Sequence, residues 1–134
     1  MKKNLIYLFF AVLTITAFSQ KSNAQALFIY NNSAIDLQVI ICGNTYTLAA
    51  GASTGTLPAC SPAPCSYQVV TPRNPISAGY RTVTISIPSC QTGGCGSTNT
   101  DYIPAEVTST YTSPNYTAIA GIDCSGNITV IIED

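Results

Sequence analysis

Histidine and tryptophan are missing from this 134-residue chain, and its lysines stand only at positions 2, 3 and 21. A serine or cysteine nucleophile therefore lacks its usual base, which removes Ser-His-Asp triads, Ser-Lys dyads and histidine-containing zinc sites from consideration. Without tryptophan, sugar stacking falls to tyrosine. Charged residues make up only 8% of the chain, too few for the paired acids of a glycosidase to be expected. The composition points to a non-enzyme, and no catalytic residue, cofactor or metal is expected.

The lysines cluster in a segment that reads as a removable export leader. Lys2 and Lys3 precede an apolar run over 5–18, a length suited to a secretory core and short for a membrane span. Ala24 and Ala26 offer small residues two apart, so cleavage is expected after Ala26, with a cut after Ala24 as the alternative. Residues 1–26 are thus a signal peptide and 27–134 one domain, secreted or periplasmic, with no later transmembrane segment expected. In that domain two cations, Arg73 and Arg81, face six acids, Asp36, Asp101, Glu106, Asp123, Glu133 and Asp134, for a side-chain balance of −4. Nucleic acid, which is gripped by clustered Lys and Arg, is not an expected partner.

Six cysteines, Cys42, Cys60, Cys65, Cys90, Cys95 and Cys124, in an exported chain read as three disulfides. The expected pairing is Cys60–Cys65, Cys90–Cys95 and Cys42–Cys124, although spacing alone does not choose a connectivity. Two C-x4-C pairs could make a thiolate zinc site, but the spacing departs from the C-x2-C knuckle and export favours oxidation.

What is plentiful is Thr, Val, Ile and Tyr in short runs separated by Gly and Pro. The stretch 35–48, IDLQVIICGNTYTL, reads as a hairpin with Ile35, Leu37, Val39 and Ile41 on one face and Gly43-Asn44 at the bend. Further strands are expected over 27–31, 54–57, 66–71 and 80–87, the last with Val83, Ile85 and Ile87 alternating with hydroxyl residues. A weaker edge strand interrupted by Pro104 is expected over 101–107, and a closing hairpin over 116–133 with Ile128, Val130 and Ile132 facing one way. No sustained helical period follows the leader. The fold class expected is all-β, a small antiparallel β-sandwich of Greek-key or jelly-roll type, stapled by disulfides.

Several side chains are candidates for chemistry. Asp36, Asp101, Glu106 and Asp123 are the carboxylates available for acid/base work, and each also reads as a turn, edge or surface residue. Asn99 and Asp101 have a calcium-ligand spacing but lack a surrounding cluster of oxygens. Tyr111 and Tyr116, set among Ser, Thr and Asn, have the composition of an adaptable binding surface. Asn31, Asn115 and Asn127 each open an N-x-[ST] sequon. The leading functional expectation is a secreted module acting through its surface in adhesion, binding or structure, toward a protein or glycan partner. The alternative is a carbohydrate-binding module or weak carboxylate hydrolase, and a secreted inhibitor or toxin rests only on the cysteine loops.

Overall fold

A run in which every second side chain is apolar cannot hide that stripe as a lone strand, so such runs pair and stack. In the computed structural model, which describes residues 26–58, 63–88 and 96–134, they form eleven strands. These are β1 (Ala26–Asn31), β2 (Leu37–Ile41), β3 (Asn44–Leu48), β4 (Leu57–Pro58), β5 (Ser66–Pro72), β6 (Tyr80–Ser86), β7 (Ser97–Ile103), β8 (Glu106–Val107), β9 (Thr112–Ser113), β10 (Tyr116–Ile122) and β11 (Ile128–Glu133). A single 3-10 turn at Ile76–Ala78 lies between β5 and β6. No helix among those residues is long and apolar enough to cross a membrane.

The protein is all-β, with one mixed and one antiparallel main sheet. The larger sheet has the order β4-β1-β11-β10-β7, the smaller has β3-β2-β5-β6, and β8 and β9 make a short ribbon of their own. One face of each main sheet feeds a common buried cluster. Leu27, Ile29, Ala118, Ala120, Ile128, Val130 and Ile132 come from the larger sheet, and Leu37, Val39, Ile41, Tyr67, Val69 and Ile85 from the smaller. Each fully buried Ile or Leu contributes about 1.5–3 kcal/mol relative to exposure, so this shared cluster is the main force holding the sheets. The anticipated faces of the 80–87 run and of the closing hairpin match: Ile85, Ile87, Ile128, Val130 and Ile132 are buried, and Val83 is partly buried against the same cluster.

Two expectations need correction. The sheets are not purely antiparallel, because β1 pairs with β11 in parallel, from Leu27 opposite Ile128 to Asn31 opposite Ile132. Hairpin signals reveal only antiparallel neighbours, and a parallel pair between the two ends of the domain leaves no local trace. The bend of the first hairpin is Cys42-Gly43, one residue earlier than expected, with φ of 57° and 76°. This puts Gly at the second turn position and sets Leu37 directly opposite Leu48, so two buried leucines meet across the strands.

Cys42, Cys65 and Cys124 are each disulfide-bonded, and no described cysteine is free. Cys60, Cys90 and Cys95 lie outside the described residues, so the expected connectivity, including Cys42–Cys124, is not described. Residues 1–25 also lie outside, and with them nearly all of the expected leader. Ala26 is described: it opens β1 and pairs with Pro58.

One buried polar side chain ties these elements together. Asn31, fully buried at the end of β1, donates from Nδ2 to the carbonyls of Ile35 at 2.8 Å and Ala49 at 2.9 Å. Its Oδ1 accepts from the Ser33 hydroxyl at 2.6 Å and the Ser33 backbone N–H at 3.2 Å. The amide thereby replaces backbone partners where the chain leaves one sheet and enters the other. The sequon at this position has its acceptor nitrogen committed to the fold. Replacing Asn31 by Ala removes its bonds to the Ile35 and Ala49 carbonyls and to Ser33, although the Ala52 N–H still serves Ala49 and the Ser33 hydroxyl still reaches Ile35, and it should lower stability by about 1–3 kcal/mol. Urea unfolding would register this as a fall in midpoint at constant slope; an unchanged midpoint would show that the amide carries no load.

Candidate functional site

The two arginines converge on one carboxylate. Arg73 follows the last residue of β5, and Arg81 occupies the second position of β6, in phase with the inward-facing Val83 and Ile85. Pro104 has no N–H to extend a ladder, so β7 stops and the chain crosses to β8, delivering Glu106. Glu106 Oε2 lies 3.5 Å from Arg73 Nε and its Oε1 lies 3.3 Å from Arg81 Nε. The Arg73 contact is an ion pair rather than an aligned hydrogen bond. These side chains are 13–32% exposed, so the attraction is only partly screened by water.

The ribbon is fastened at further points. Arg81 Nη1 donates to the Pro104 carbonyl at 2.7 Å and to Ser113 Oγ at 3.2 Å, and the same hydroxyl accepts from the Glu106 N–H at 3.1 Å. Asn74 and Thr112 exchange backbone hydrogen bonds of 2.8 and 2.9 Å. Thr108 Oγ1 accepts from the Tyr111 N–H at 3.0 Å while the Thr108 N–H donates to the Tyr111 carbonyl at 2.9 Å. The low-complexity segment is therefore a closed turn, which sets the Tyr111 ring 4.4 Å from the Arg73 guanidinium carbon. Beside them lies a groove of about 350 Å³ lined by Ile35, Pro72, Arg73, Asn74, Thr112, Ser113 and Pro114.

The two tyrosines singled out from sequence part company here. Tyr111 is half-buried and stacks on Arg73, which lines the groove. Tyr116 is not a surface residue: it is fully buried, because the run from Tyr116 through Ala118 to Ala120 is the inward face of a central strand. Burial pushes the Tyr116 phenol up to about 12; the Arg81 charge opposes the shift and Glu106 adds to it. Tyr67 is pushed up further by burial, with Asp101 and Tyr116 contributing.

The remaining candidates are held apart, each with its own partner. Asp36 Oδ1 accepts the Ala50 N–H at 2.9 Å. Asp101 Oδ2 accepts from Asn99 Nδ2 at 2.7 Å, and that amide also reaches the Ser86 carbonyl at 3.2 Å, joining β7 to β6. Since Asn99 directs its donor at Asp101, the pair is not arranged as two oxygen ligands. Asp123 accepts from the backbone N–H groups of Ser125 and Asn127 and from the Asn127 side chain. The Asn127 bonds chiefly hold its carboxyl below the ordinary value. No metal-holding group of three His, Cys, Asp or Glu occurs among the described residues.

Sequence reasoning missed Arg73 and Arg81 as site residues. The available signal was that these were the only cations left after the leader. A second hollow of about 340 Å³ lies on the outer face of the larger sheet at Gly121, between Ile119, Ile131, Thr98 and Thr129, and it contains no cation. No family model matches the chain, and no curated protein and no solved structure is significantly similar to it.

Glu106→Gln leaves two guanidinium groups facing each other without their counter-ion, and should cost about 1–2 kcal/mol of stability in denaturant unfolding. A null effect would show the ion pairs to be idle. Alkali gives a second check. A phenol raised on folding contributes stability that is complete below the ordinary value of 10.0 and is lost as pH climbs toward about 12, since the unfolded chain releases its proton first. Ultraviolet titration should therefore show Tyr67 and Tyr116 ionising only together with unfolding.

Proposed function

We propose that this chain is an exported, non-enzymatic β-sandwich module, stapled by disulfides, that acts through its surface as a binding protein. The shared buried cluster of the two main sheets supports the layered arrangement. The oxidised state of Cys42, Cys65 and Cys124 is in keeping with an oxidising compartment, secreted or periplasmic. Leader removal after Ala24 rather than Ala26 fits this reading better, because Ala26 is part of β1 and pairs with Pro58.

The observation that carries the functional reading is the groove beside Arg73 and Tyr111. Its walls are set by an ion-paired carboxylate, a stacked guanidinium and a hydrogen-bonded turn, so the surface is ordered before any ligand arrives. The carboxylates that a hydrolase would need are engaged elsewhere: Glu106 between two cations, Asp36 and Asp123 on turn amides, and Asp101 on Asn99. A glycan is the favoured partner class, since the groove combines side-chain hydroxyls and an amide with the apolar Ile35, Pro72 and Pro114.

Glycan and peptide arrays probed with the exported protein would test this reading. Binding should weaken at least several-fold in Tyr111→Ala while the circular dichroism stays that of a β-protein. Absence of any ligand, or binding indifferent to Tyr111, would count against it.

A further inference from the structure

We propose that the groove beside Arg73 is a carboxylate subsite, and that its ligand is an acidic glycan presenting a hexuronate unit; this rests on the reading of the groove as the binding surface. Two guanidinium groups meet a single carboxylate at this point, so the cluster keeps one uncompensated positive charge in an otherwise acidic domain. That charge belongs mainly to Arg73. Arg81 is committed to the Pro104 carbonyl, to Ser113 Oγ and to Glu106. Arg73 touches Glu106 only through Nε, at 3.5 Å, and its terminal amino groups donate to none of the described residues. Stacking on Tyr111 holds the guanidinium plane, which leaves the fork preset for a two-point grip on a carboxylate.

The rest of the groove favours a sugar over a peptide terminus. Asn74 and Thr112 spend their backbone N–H groups on each other's carbonyls, so neither offers its amide to an extended peptide. Their side chains are what remain, an amide and a hydroxyl on exposed residues, suited to ring hydroxyls. Ile35, Pro72 and Pro114 provide apolar surface for the C–H face of a ring. A hollow of about 350 Å³ accommodates one or two sugar rings.

Calorimetric titration of the exported protein with galacturonate oligomers, set against the same oligomers with their carboxyls reduced to alcohols, tests the proposal. The acidic oligomers should bind and the reduced ones should bind at least ten-fold more weakly, with affinity falling as salt is raised. Arg73→Gln should weaken the acidic oligomers at least ten-fold, and Arg73→Lys should fall between, keeping the charge without the fork. Glu106→Gln, which removes the competing carboxylate, should tighten them several-fold, a direction that misfolding cannot imitate. Equal binding of acidic and reduced oligomers, or indifference to Arg73→Gln, would overturn the subsite. Tyr111-dependent binding of neutral glycans alone would overturn it and leave the surface reading intact, and preference for a peptide carboxylate over its amide and over the acidic oligomers would overturn the hexuronate ligand. Failure of every glycan and peptide would remove both.

Discussion

Asn31 occupies the place in the fold where backbone hydrogen bonding cannot continue by itself. β1 belongs to the larger sheet and β2 to the smaller, so the chain turns out of one ladder and into the other over residues 32–36, with Asn31 and Ser33 buried at the corner. Backbone groups that leave one ladder before the next begins have no strand partner. The Asn31 amide supplies two donors and an acceptor from a single side chain, to Ile35, Ala49 and Ser33. Around it the pairings of β1 follow: β11 on one side, and on the other β4 and the 52–54 segment, through bonds such as Asn31 N–H to the Ala52 carbonyl.

A second constraint acts at the margin of the smaller sheet. The β8–β9 ribbon buries little of its own: Val107 is 79% exposed. Hydrophobic burial is therefore a weak anchor there, and polar contacts take over. Glu106, Ser113 and the Pro104 carbonyl hold the side chain of Arg81, while Asn74 and Thr112 exchange backbone bonds. The same contacts that fix the ribbon set the Arg73 guanidinium against Tyr111, so fastening the loop and shaping the groove are one event. This explains how a segment of Thr, Ser and Tyr, with the composition of a floppy loop, presents an ordered surface.

Some of this was legible in the chain and some was not, for identifiable reasons. The run Val83-Thr84-Ile85-Ser86-Ile87 alternates cleanly, and Ile128, Val130 and Ile132 keep the same period although Ile131 on the other face is apolar too, so the inward faces of both follow from period. The bend at Cys42-Gly43 was misplaced by one residue, because both candidate bends keep the same side chains inward and only the meeting of Leu37 with Leu48 separates them. Tyr116 stands where a polar segment meets a strand: Pro114-Asn115 before it suggest a surface, whereas the alternation with Ala118 and Ala120 after it is what buries it. Alanine is a quiet marker of a core, and small side chains in a central strand are easily overlooked.

Sequence alone determined the class of structure and the chemistry it lacks. Those properties are additive over residues: the absence of histidine, the scarcity of charge and a period of two require no knowledge of neighbours in space. Only the tertiary structure decided that β1 lies parallel to β11, that Arg73 and Arg81 share Glu106, and that Asn31 is buried rather than available to a glycan. Each of these joins residues far apart along the chain, and which distant pair meets is set by the packing of whole sheets, a cooperative outcome that no local window contains.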